Sequence, residues 1–295
     1  MIIRWTTPAL PGADGWSREL PRTWLGLSLA AAVLAAAGST FSLLDPDRIY
    51  GRETVRFADA ALAQDAVNLA IVAPLIVLLG FRARAGSVRA YVCWLGCVAF
   101  TTYNYAIYTF SIHFGPLFLP WVAVLGLSFY ALVGSLVTVD ASAVKSRFFA
   151  TRSTLAAYTL ITIASLFTLL WLSEIVPDLL AGSPSRSAAD WKVPTNPVHV
   201  LDLALFLPAV LTSGVMLLRR NAMGYVTAPG NLVFLGLTCL PILATPAVAV
   251  ARQHHSSWTV LAPIGIVLIV ASTVLARMLR DADDSHQRAT PSPAD

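Results

Sequence analysis

Two short stretches of this chain hold the side chains best suited to chemistry. In the first, Gln64, Asp65 and Asn68 are spaced by three and four, so one helical face holds an amide, a carboxylate and a second amide. The second, N-P-V-H-V-L-D, puts His199 and Asp202 one turn apart on a shared face. Between them, T-T-Y-N-Y-A-I-Y sets Thr101, Asn104, Tyr105 and Tyr108 along a stripe, with Tyr103 off to the side. A carboxylate beside an imidazole favours its protonated form, and amides and phenols hold a polar solute by hydrogen bonds. The expected ligand-binding set is Gln64, Asp65, Asn68, Asn104, Tyr105, Tyr108, His199 and Asp202, converging at one depth. Zinc at His113, His199, His254 or His255 with Asp65 or Asp202 is conceivable, but no spacing demands it. There is no P-loop, G-x-G-x-x-G, H-E-x-x-H or C-x-x-C, and no serine stands out beside His199. No catalytic residue, metal ligand or cofactor is assigned.

The elements that must position these groups are eight apolar runs, at 24–44, 64–81, 90–110, 116–139, 153–176, 199–218, 225–250 and 257–279. Each is close to the length that crosses a bilayer, and in hydrocarbon a backbone must satisfy its own polar groups, so each must be a helix. With 57% hydrophobic and 12% charged residues in 295, the expected fold is all-α, a polytopic transmembrane bundle of about eight spans. Its parts are an N-terminal segment, 1–23, a helical domain, 24–279, and a polar, disordered tail, 280–295. The net charge of +4 resides in short loops rather than in a basic stripe, which excludes nucleic acid as a partner and leaves the lipid bilayer.

Fourteen of the Lys and Arg residues fall on one side of this arrangement; six, Arg48, Arg52, Arg56, Arg186, Lys192 and Arg252, fall on the other. The richer side is cytoplasmic, so both termini are expected there and the polar layer faces outward. Arg18 and Arg22 before an Ala-rich run also fit a signal peptide with small residues at 35–38. The run continues to Leu44, longer than the apolar core of such a peptide, and a first span is expected. The only recurrence noted between the four-span halves is F-L-P at 118–120 and 206–208, at different depths.

Each polar residue has a plainer reading. Asp65 and Asp202 can be helix caps, Tyr103 and Trp121 interfacial belt residues, and Asn104 a link between helices. Glu53 and Asp59, like His254 and His255, read as solvated outer loops. Cys93, Cys97 and Cys239 all lie in spans and read as packing residues.

Q-D-A-V-N at 64–68, Y-N-Y-A-I-Y at 103–108, P-L-F-L at 116–119, F-Y-A-L at 129–132 and N-P-V-H-V-L-D-L-A-L-F-L-P at 196–208 resemble the shared segments of a family of bacterial multipass membrane proteins without assigned activity. The resemblance covers spans two to seven and brings no cofactor or catalytic residue with it. It implies, with the high Ala, Arg and Val usage, a bacterial inner membrane. The leading expectation is a transporter or permease for a small polar solute or ion, with a pocket open to the outer face and Pro74, Pro120, Pro208, Pro229, Pro241 and Pro246 able to kink its helices. The alternatives are an intramembrane enzyme with a metal or acid–base site at the outer leaflet, and a sensory or scaffold component without chemistry.

Overall fold

The structure, a computed structural model, describes residues 20–148 and 153–287, without the side chains of 281–287. Among the described residues thirteen α-helices follow one another: α1 (Arg22–Leu44), α2 (Pro46–Tyr50), α3 (Val55–Val67), α4 (Ala73–Arg84), α5 (Val88–Ser111), α6 (Phe118–Thr138), α7 (Ala141–Arg147), α8 (Thr154–Leu180), α9 (Arg186–Trp191), α10 (Pro197–Leu201), α11 (Leu207–Leu218), α12 (Ala222–Ala251) and α13 (Leu261–Gln287). The described residues contain no strand. Two π-helical turns, Asn68–Val72 and Asp202–Phe206, weld α3 to α4 and α10 to α11 into the single spans Val55–Arg84 and Pro197–Leu218. Pro74 and Pro208 stand just beyond these turns, where a residue without an N–H fits the altered hydrogen-bond ladder.

Among the described residues seven helices are long and apolar enough to cross a membrane. The eighth long helix, α5, has 24 residues and a length of about 36 Å, but carries more polar side chains. Its position explains how it can: α4, α6 and α12 pack around it, and fifteen of its residues are buried, so protein rather than lipid faces its Thr, Asn and Tyr groups. α1 packs into the bundle against α6, α4 and α3.

Side-chain oxygens set most of the helix starts. Thr54 accepts from the Phe57 amide, Ser87 from Ala90, Asn196 from Val198, and Asn221 from Met223. Because Thr54 starts the second span at Val55, that span begins nine residues before the expected 64, and Asp65 lies about 15 Å along the helix from its first residue. The stretch expected as a solvated loop holding Asp59 is thus helical and its Asp59 is buried. α8 runs on to Leu180, four residues past the end of its apolar run at 176, and the connection from it to α10 holds the short helix α9. At the far end α13 continues to Gln287, into the segment expected to be a disordered tail; residues 288–295, and 1–19 of the N-terminal segment, lie outside the described residues.

Charge divides the bundle into two ends. One carries Arg82, Arg84, Lys145, Arg147, Arg219 and Arg220 on short connections; the other carries mixed charges on α2, α9 and the α12–α13 loop. The first is the basic end and the second the mixed-charge end.

Candidate functional site

Two buried carboxylates anchor separate polar clusters on either side of α5. Asp65, 1% exposed, receives three hydroxyls: Ser39 at 2.8 Å and Tyr108 at 3.3 Å on Oδ1, and Tyr50 at 2.5 Å on Oδ2. These come from α1, α5 and α2, so three elements close on one carboxylate of α3. Tyr108 also lies 3.0 Å from the Ala61 carbonyl, and Trp121 meets its ring edge-on at 5.4 Å. Tyr50, outside the spans, has its hydroxyl pushed well above the ordinary phenol range by burial and by the Asp65 carboxylate, so it stays a proton donor to that carboxylate.

Asp202, 7% exposed, receives the Tyr103 hydroxyl on Oδ1 and the Trp171 indole N–H on Oδ2, both at 2.8 Å. His199 is buried one turn earlier, its ring 4.6 Å from that of Trp171 and its Nε2 3.7 Å from Glu174 Oε2. The carboxylate that its ring nitrogen approaches is therefore Glu174 rather than the expected Asp202, whose two oxygens are engaged by Tyr103 and Trp171. Phe206 and Phe234, stacked at 3.8 Å, pack against the Tyr103 ring and fix its direction.

The expected set therefore separates into parts. Asp65 and Tyr108 meet; Tyr105 packs on Tyr108 at 5.4 Å; His199 and Asp202 share the second cluster. Gln64 donates to Asn68 Oδ1 at 2.9 Å, leaving the Asn68 amide nitrogen buried without a hydrogen-bond partner. The Asn104 amide nitrogen is in the same condition. Each lies about a turn deeper than the Asp65–Tyr108 contact, Asn68 along α3 and Asn104 along α5. Buried amide donors without an acceptor are uncommon and cost stability, which makes this level a place for water or a polar ligand atom.

The cap reading of both aspartates fails: Asp65 is the eleventh residue of α3, and the α10 cap is Asn196. Tyr103 and Trp121 are not belt residues, since one binds Asp202 and the other is buried against Tyr108. Sequence reading missed Ser39, Tyr50 and Trp171. Their only signal was that a membrane carboxylate needs donors, which identifies a demand and not its supplier.

A third set of charges rims the mixed-charge end. Asp59 lies 2.8 Å from His254 Nδ1 and 3.5 Å from Arg252 Nε. Glu53 Oε1 accepts the His113 amide at 2.9 Å, with the His113 Nδ1 at the same distance. Arg56 pairs with Asp190 at 2.5 Å, and Phe57 stacks on Trp191 at 4.4 Å. A cavity of about 490 Å³ opens among Arg56, Asp59, Trp191, Thr245, Pro246 and His255. The α12–α13 loop is thus built into the rim through Asp59, contrary to its expectation as a solvated loop. Among the described residues no three His, Cys, Asp or Glu side chains are grouped as metal ligands, and the three cysteines are free. The chain matches no protein-family model, curated protein or solved structure.

Proposed function

We propose that this integral membrane protein is a transporter or permease that admits a small polar solute or ion from its mixed-charge end. One observation carries the reading. Two carboxylates, Asp65 and Asp202, are buried in membrane-spanning helices, and their hydrogen-bonding partners are neutral donors. A carboxylate is costly in hydrocarbon, and hydrophobic packing would serve stability equally well, so its presence favours a working site. Support comes from the π-helical turns at Asn68–Val72 and Asp202–Phe206, which alter the hydrogen-bond ladder of two spans beside these groups. A cavity bordered by Arg56, Asp59 and His255 opens at the mixed-charge end, the side from which a solute would enter in this reading. The asymmetry of Lys and Arg supports a cytoplasmic basic end and an outward mixed-charge end, and the resemblance of the sequence supports a bacterial inner membrane as the setting.

Proteoliposomes test this directly. Osmotic shrinkage and recovery is followed for urea, glycerol, amino acids and monosaccharides, alongside dye-reported proton and sodium entry. The expected result is permeation by at least one of these above empty vesicles, lost in Asp65→Asn. Rates equal to those of empty vesicles for every probe would sink the reading.

A further inference from the structure

The two aspartate clusters sit within one helical turn of equivalent places in two consecutive four-helix units. The π-helical turns Asn68–Val72 and Asp202–Phe206 begin and end 134 residues apart, as do α4 and α11, and as do the first residues of α5 and α12. The turns between these helices are bonded alike. Ala85, Gly86 and Ser87 donate to the carbonyls of Phe81, Ala83 and Arg82; Arg219, Arg220 and Asn221 donate to those of Val215, Leu217 and Met216, again 134 further on. Gly86 and Arg220, equivalent in this spacing, both take positive φ, 93° and 54°. Ser87 and Asn221 both cap the helix that follows.

The sequence agrees once this spacing is known. Leu69, Ala70, Pro74, Gly80, Tyr91, Val92, Gly96 and Phe100 recur as Leu203, Ala204, Pro208, Gly214, Tyr225, Val226, Gly230 and Phe234. Equivalent residues also touch across the middle of the bundle. A Cβ on Gly96 would lie 2.3 Å from the Gly230 carbonyl oxygen, and the rings of Phe100 and Phe234 meet edge-on at 5.9 Å. Self-contact of equivalent residues marks a pseudo-two-fold axis. Four spans per unit is an even number, so both units cross in the same direction and the axis lies along the membrane normal.

We infer that the chain is a tandem duplication of a four-helix unit, and that the Asp65 and Asp202 clusters are two copies of one proton-binding site, one in each unit. In this spacing Asp65 matches His199 and Asn68 matches Asp202, so each unit holds one aspartate at or one turn before its π-helical turn. The chemistry of the surroundings selects the proton. Ser39 and Tyr50 around Asp65, with Tyr108 sharing its one hydroxyl hydrogen between Asp65 and the Ala61 carbonyl, and Tyr103 and Trp171 around Asp202, are neutral donors that leave each carboxylate a lone pair for one proton but not the several bare oxygens that a metal ion needs. The ionisable groups facing Asp65 are Tyr50, Tyr105 and Tyr108; α1 brings only serines, and α12, packed along α3, carries Tyr225 and Cys239 but no charge. Those facing Asp202 are Tyr103 from α5, His199 one turn before it, and Glu174 from α8, which pairs with His199. Neutralising a buried carboxylate by a proton costs far less than holding its charge in hydrocarbon.

This deepens the permease reading, and rests on it, by naming the ion; binding measured in detergent needs no flux, so either can fail alone. The full-length protein is stepped through pH while infrared difference spectra follow the C=O stretch of protonated, dehydrated carboxyl groups. Two such bands are expected as pH falls. Asp65→Asn and Asp202→Asn should each remove one of them, and the double variant both. A single variant that keeps both bands overturns the inference, as does a wild-type spectrum without them. Should Asp65→Asn fail to fold, Asp65→Glu replaces it: one band is expected to shift in frequency, and an unmoved pair overturns the proposal equally.

Discussion

The first four-helix unit satisfies its carboxylate from within, whereas the second borrows from its neighbour. Asp65 draws on Ser39, Tyr50 and Tyr108, all in the first half of the chain. Asp202 draws on Trp171 of its own half and on Tyr103 of the other. One carboxylate with three donors inside one unit is a self-contained site. One with two donors, of which one crosses the boundary, senses how the halves sit. In a protein whose equivalent helices meet at glycines, that boundary is where relative motion would be read, so the two copies have diverged in role as well as in residue.

The strongest way to break this comparison is at the axis itself. Gly96→Leu must displace α12, because even a Cβ would lie 2.3 Å from Gly230 O and 2.7 Å from the Val233 Cβ. A loss of about 3 kcal/mol or more is expected in detergent unfolding, against about 1 kcal/mol for Gly230→Ala, whose added Cβ would meet Val92 O at 3.3 Å. Equal effects would mean that the crossing is looser than the two glycines indicate.

Next come the carboxylates. Asp65→Ala strands the Ser39 and Tyr50 hydroxyls and leaves Tyr108 with the Ala61 carbonyl alone, and should cost about 3 kcal/mol; Asp202→Ala strands two donors and should cost about 2 kcal/mol. Thermal unfolding of the two variants side by side checks the order; a costlier Asp202→Ala would reverse the view of which site is self-contained.

The helical class and the spans were legible because apolar runs of bilayer length admit one backbone solution. Asp65, Tyr108, His199 and Asp202 were legible as polar groups too costly to be accidental. Their partners were not. Ser39 looks like any small residue of an Ala-rich helix, and Trp171 like any interfacial indole, until three-dimensional packing aims them at a carboxylate. The single expected site became two because Tyr103 and Tyr108, five residues apart on α5, face different neighbours. The repeat escaped notice because only eight identities carry it across forty positions, scattered among interchangeable apolar residues; the shared helix boundaries reveal it.

Tyr103→Phe and Tyr108→Phe sharpen the contrast at a single atom each. Tyr103→Phe leaves Asp202 with one donor and should cost about 2 kcal/mol, as hydrogen bonds to charged groups do. Tyr108→Phe leaves Asp65 with Ser39 and Tyr50, and about 1 kcal/mol is expected. Only the first should also loosen the two halves, visible as faster amide exchange on both sides of the α5–α12 contact. Exchange confined to α10 would show that Tyr103 serves Asp202 alone.

The smallest effect belongs to the rim, where the first unit is tied to the second by charge. Asp59 on α3 holds His254 and Arg252 of the α12–α13 connection, and this link has no counterpart at Val193, its equivalent in the second half. His254 is 30% exposed, and Arg252 remains beside Asp59 when it is gone. His254→Ala is therefore expected to lower stability by about 1 kcal/mol or less. That loss should shrink further in high salt, which screens a charge contact at the rim where one partner is partly exposed. The carboxylate clusters, bonded by neutral donors inside the bundle, should show no such dependence. Unfolding midpoints of wild type, His254→Ala and Tyr108→Phe at low and high salt separate the two behaviours. A Tyr108→Phe effect that fades with salt would mean that Asp65 is in contact with water, and that the first unit is no more enclosed than the rim above it.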